Sequence, residues 1–97
     1  MNTNTLKLNQ SLIEAITQGN RPRATELLSE GADVNTKDNN GQTALMIATY
    51  KGEIGLVHLL LEKGADTKIT DPEGWTVSKY AEQLDEMETL ELLGNTD

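Results

Sequence analysis

Asp71 and Glu73 set two carboxylates two positions apart, a pairing that could support general acid–base work. They frame Pro72 and are followed by Gly74, so the nearer demand on them is the turn that Asp71-Pro72-Glu73-Gly74 spells. Asp33-x-Asn35 begins as a calcium loop begins, but Lys37 holds the next ligand position and the required glycine is missing. His58 is the only histidine and there is no cysteine, which excludes a zinc site of the usual kind. Flanked by Val57 and Leu59 in an apolar segment, His58 reads as a surface residue on the outer side of a helix. Ser11, Ser29 and Ser78 lie on no nucleophile elbow. No glycine-rich loop suited to phosphate is present. The chain therefore reads as a non-enzyme without cofactor or metal.

Charge narrows the partners. A net charge of −8 opposes binding to a phosphate backbone and to anionic membranes. The acidity is uneven: beyond Lys79 there is no basic residue, whereas Glu82, Asp85, Glu86, Glu88 and Glu91 follow. That run is either the solvated outer face of a terminal unit or a landing site for a basic partner. The lack of cysteine fits a reducing compartment. Met1-Asn2-Thr3-Asn4-Thr5 has neither the charged nor the apolar region of a secretory signal. No apolar run approaches the roughly 20 residues that span a bilayer. The expectation is a cytoplasmic monomer that binds another protein, and neither nucleic acid nor membrane.

What must position any functional residue is a repeat. Gly31-Ala32-Asp33 recurs thirty-three residues later as Gly64-Ala65-Asp66. The same offset joins Gly19 to Gly52, Asp38 to Asp71, Gly41 to Gly74 and Thr43 to Thr76, and it joins Leu27, Leu60 and Leu93. A period of this length marks one supersecondary unit copied and stacked. In the middle copy Asp38-Asn39-Asn40-Gly41 is a turn, and Thr43 is an N-cap for a short helix carrying Leu45, Ile47 and Ala48. Gly52 ends that helix, and Ile54 to Leu61 form a second with a broad apolar stripe that Gly64 terminates. The unit is thus tip, short helix, turn, longer helix, loop. The boundaries give one domain over 1–97, with units at about 8–37, 38–70 and 71–94, and with 1–7 and 95–97 frayed. Asp85 stands in the third copy where Gly19 and Gly52 stand in the others. Aspartate enters positive φ less readily than glycine, so the expectation there is a reshaped turn.

These residues resemble the ankyrin repeat, whose pattern runs approximately D-x-x-G-x-T-P-L-H-x-A-A, then G, V, L-L and G-A-D. Here Asp38, Gly41, Thr43, Leu45, Ala48, Gly52, Val57, Leu60-Leu61 and Gly64-Ala65-Asp66 carry the match, which extends over about residues 8–94. The proline of T-P-L-H is replaced by Ala44 and Val77, its leucine by Ser78 in the third copy, and its histidine by Met46 and Lys79, so the family's Thr–His hydrogen bond cannot form. The resemblance implies an all-α repeat, an ankyrin-type solenoid of helix-turn-helix units with projecting hairpin-like loops. It also implies protein binding across those loops and the face of the first helices.

Carried onto this chain, the family's partner-facing positions are Lys37, Asn39, Asn40, Gln42, Tyr50 and Lys51, then Thr70, Pro72, Glu73, Trp75 and Gln83. Thr17 and Gln18 would extend the set into the first copy. Trp75, beside a tip, is either a contact anchor or a cover for a weak terminal copy; Tyr50 is expected on the same face. The resulting reading is a small adaptor or inhibitor. Its alternatives are a bacterial antidote or immunity-type protein that neutralises a toxin or effector, and a self-associating fragment of a longer repeat array.

Overall fold

Residues 3–94 are described by the structure, a computed structural model. Three antiparallel helix pairs follow one another: α1 (Thr3–Gln18) with α2 (Arg21–Ser29), α3 (Ala44–Tyr50) with α4 (Ile54–Glu62), and α5 (Val77–Gln83) with α6 (Met87–Gly94). The first helices α1, α3 and α5 pack in one row, and α2, α4 and α6 in a second behind it. This is the all-α stack that the period requires, and no strand occurs among the described residues.

Side-chain size explains the two rows. The first helices bury alanines at one period, Ala15, Ala48 and Ala81, which lets them approach closely. The second helices bury leucines at the matching positions Leu27, Leu60 and Leu93. The middle pair is sealed from both sides, whereas α6 buries only Thr89 and Leu93.

The turns inside the pairs are copies as well. Gly19, Gly52 and Asp85 have φ of 71°, 70° and 57°, and each is followed by an amide that bonds back to Ala15, Ala48 or Ala81 at 2.8–2.9 Å. The third turn is therefore not reshaped: Asp85 adopts the conformation of the glycines, since the hydrogen bond to Ala81 holds it there. The helix starts also agree with expectation. Thr43 Oγ1 accepts from the Met46 amide at 3.2 Å, and Thr76 Oγ1 from Lys79 at 3.3 Å. At the first of these, Met46 Sδ accepts from the Thr43 amide at 3.5 Å, so a thioether closes the cap reciprocally where the family pattern has histidine.

One boundary needs correction. Residues 3–7, expected to fray, are the opening turns of α1. No glycine or proline interrupts the chain between Thr3 and Gln18, so the helix propagates past the repeat's start. Asn9 fixes it, with Oδ1 accepting from the Asp33 amide at 2.7 Å while only 6% exposed. Residues 1–2 and 95–97 lie outside the described residues.

Candidate functional site

Two tips project beside α3 and α5, and both are built around an aspartate. In tip 1, Asp38 Oδ1 accepts from the amides of Asn40 and Gln42, both at 2.9 Å. The Asp38 amide in turn donates to the Gln42 carbonyl at 2.8 Å, and an isolated antiparallel bridge pairs Lys37 with Thr43. In tip 2, Asp71 Oδ1 accepts from Glu73 and Trp75, again at 2.9 Å, and the Asp71 amide donates to the Trp75 carbonyl at 2.9 Å. The tips are hairpin-like in hydrogen bonding without forming strands.

The tips touch. Gly41, with φ +80°, lies so close to Pro72 that a Cβ built there would meet Pro72 Cγ at 2.7 Å. A second link runs through α5. Gln42 Nε2 donates to the Tyr80 hydroxyl at 3.1 Å, and that hydroxyl donates to Asp71 Oδ2. Tip 1 is thus joined to tip 2 by a ring contact and by a shared phenol. The Tyr80 hydroxyl, and next the Trp75 amide, hold the Asp71 carboxyl below the usual carboxylate range. Burial, and then the bond to Asp71, push the Tyr80 phenol above its ordinary value.

Between the tips is an open hollow of about 550 Å³, lined by Asn40, Gln42, Asp71, Pro72, Glu73, Trp75 and Tyr80. Trp75 is half-buried: its ring lies 5.4 Å from that of Tyr80 at 53°, and it packs against the core. The Lys79 ammonium sits 5.3 Å from the Trp75 ring centroid. Trp75 thus shields the third copy and keeps part of its ring at the surface. A larger hollow of about 740 Å³ lies between α1 and tip 1, with Leu6, Asn9, Ile13, Lys37 and Asn39 among its walls.

The structure places the sequence-derived positions in three groups. Asn40, Gln42, Pro72, Glu73 and Trp75 converge on the inter-tip hollow, and Lys37 and Asn39 border the larger one. Tyr50, Lys51, Thr70 and Gln83 are exposed but line neither hollow, and the same holds for Thr17 and Gln18; Tyr50 is 64% exposed. Tyr80 was not among the expected site residues, nor was Asp71 as more than a turn former. The available signal was a phenol at the position that Ile47 fills in the middle copy. His58 is exposed and lies 3.9 Å from Glu62 through Nδ1. Among the described residues no metal-ligating cluster occurs, and no helix is long and apolar enough to cross a membrane.

The family model for ankyrin repeats in three copies matches residues 12–97. This chain belongs to the ankyrin repeat family. An ankyrin repeat-containing protein of Treponema pallidum is 37% identical over 84 residues, covering 87% of this chain and 28% of that protein. The human mitochondrial disaggregase is 44% identical over 61 residues, or 63% of this chain and 9% of its own length. A protein named L-asparaginase from Dirofilaria immitis is 33% identical over 84 residues, or 87% of this chain and 14% of that one. The chain spans only a small share of each of these relatives. Ankyrin repeats are generally protein–protein interaction modules.

Proposed function

We propose that this ankyrin chain acts as a small adaptor or inhibitor, engaging a single protein partner across the paired tips and the exposed ends of the first helices. The observation that supports this most is the coupling of the tips. A loop that orders on binding loses affinity to entropy, whereas the Gly41–Pro72 contact and the Gln42–Tyr80–Asp71 bridge fix the tips in advance. Trp75 and Tyr50 supply aromatic contact area, the type enriched in binding hot spots. The acidic stretch after Lys79 steers a basic partner toward that surface. The test is affinity capture from a host lysate with wild type, Trp75→Ala and Tyr50→Ala as baits, each checked for helicity. A partner held by wild type and weakened in either aromatic variant supports the surface. A partner held equally by all three moves it elsewhere.

A second reading has its own observation. Leu84, which follows α5, and Met87, which opens α6, are 41% and 62% exposed, an apolar pair that another copy of the chain would cover. A single monomeric mass over a wide concentration range in sedimentation would count against self-association.

A further inference from the structure

The inter-tip hollow carries more chemistry than a contact surface needs. Its two titratable carboxylates, Asp71 and Glu73, are unaccompanied by any Lys or Arg in the lining. Asp71 is committed inward, with Oδ1 accepting two tip amides and Oδ2 the Tyr80 hydroxyl. Glu73 is exposed at the rim. Gln42 uses its amide nitrogen on Tyr80, which leaves its carbonyl oxygen as an acceptor in the same lining. The wall is an indole with the electronic character to take a cation: the chain's own Lys79 ammonium rests 5.3 Å from its centroid, from outside the hollow's lining, and an incoming guanidinium must displace it.

We propose that this hollow receives an arginine side chain of the partner protein, its guanidinium stacked on Trp75 and paired with Glu73. This deepens the protein-binding reading and rests on it. Arginine fits better than lysine on three counts. A planar guanidinium can lie flat along an aromatic face, it is more weakly hydrated than an ammonium, and its forked donors can serve a carboxylate and a neighbouring amide oxygen together. Hydrogen bonds from the Glu73 and Trp75 amides to Asp71 fix the backbone that carries both side chains, so the exposed Glu73 carboxylate reaches the same hollow that Trp75 lines. The net charge of −8 draws such a side chain toward the surface and repels phosphate competitors.

Trp75 is the only tryptophan, so its fluorescence and its indole N–H resonance report on this hollow alone. The probes are three capped tripeptides, Gly-Arg-Gly, Gly-citrulline-Gly and Gly-Lys-Gly, titrated into the full chain. The arginine peptide is expected to shift the Trp75 signals saturably. Citrulline, isosteric but neutral, is expected to bind at least about fivefold more weakly, and Glu73→Gln to weaken the arginine peptide roughly two- to fivefold, as an exposed ion pair would. Glu73 is exposed and its side chain supports no turn, so this variant keeps the fold. Equal shifts from arginine and citrulline, or no saturable shift, overturn the proposal; equal binding of lysine and arginine overturns the guanidinium assignment. A partner captured through Trp75 without any arginine preference removes this inference and leaves the proposed function standing. Arginine binding without a captured partner keeps the hollow and removes the module reading.

Discussion

Gly41 and Gly74 occupy the same position in the two tips, with φ of +80° and +84°, yet their surroundings differ. An added Cβ at Gly74 meets nothing within 4 Å, whereas at Gly41 it meets Pro72 Cγ at 2.7 Å and Cδ at 2.8 Å. Gly74→Ala therefore isolates the backbone cost. Holding an alanine left-handed costs about 1–2 kcal/mol, and the stiffer unfolded chain returns about 0.4–1 kcal/mol, for a net loss near 1 kcal/mol. Gly41→Ala adds overpacking against a ring that cannot swing away, because it is part of the tip 2 backbone. That term is about 1–3 kcal/mol, giving a total loss of about 2–4 kcal/mol. For a chain whose stability is on the order of 5–10 kcal/mol, the difference is large. Urea unfolding followed by circular dichroism measures both variants. Pro72→Ala, which deletes the two closest atoms, should return the Gly41→Ala loss to about 1 kcal/mol in a double-mutant cycle. Equal losses at both glycines, within about 0.5 kcal/mol, would refute the contact between the tips, and so would a Pro72→Ala background that leaves the Gly41 penalty intact.

Other outcomes rest on single observations. Asp85→Gly should stabilise the chain by about 0.5–1 kcal/mol, because a non-glycine residue is held at φ 57°; a fall in melting temperature would contradict the third turn. Asn9→Ala should cost about 1–3 kcal/mol, because it removes a buried side chain and its hydrogen bond from the Asp33 amide. Asn35→Ala, whose Oδ1 accepts from the exposed Asp66 amide at 2.7 Å, should cost less in the same urea assay, about 0.5–1.5 kcal/mol. The pH dependence has two signs. The Asp71 pKa is lowered from 3.8, so its contribution is whole above that value and is lost as pH falls through the folded pKa; Asp71→Asn should flatten stability there. The Tyr80 pKa is raised from 10.0, so its contribution is whole below that pH and lost as pH rises through the folded value. Tyr80→Phe should remove the alkaline slope, and an unchanged slope would separate Tyr80 from Asp71.

The parts of this fold that were legible in the sequence are those whose cause is local. Gly19, Gly52, Thr43 and Thr76 each meet a demand set by a few neighbouring residues, and the structure has them stopping and capping helices as their spacing requires. The opening of α1 was missed because the polar run from Thr3 carries little apolar pattern, and its anchor, Asn9 on Asp33, reaches across 24 residues. The candidate site divides in the same way. That Asp38 and Asp71 organise turns could be read from D-x-x-G, since each carboxylate bonds amides two and four residues ahead. That Asp71 also receives Tyr80, that Tyr80 receives Gln42 and that Pro72 meets Gly41 depends on how one copy stacks on the next, which no single segment encodes. The departures from the repeat are informative for the same reason. At the period where tip 1 has Gln42 and the middle copy has Ile47, tip 2 and the third copy have Trp75 and Tyr80, and Gln42, Trp75 and Tyr80 all line the hollow. The repeat sets where the tips stand, while the side chains proposed to bind arginine lie largely at positions where adjacent copies differ. Restoring the repeat should therefore erase the hollow with the stack intact: Trp75→Gln with Tyr80→Ile should keep a helical spectrum and lose the arginine-peptide response.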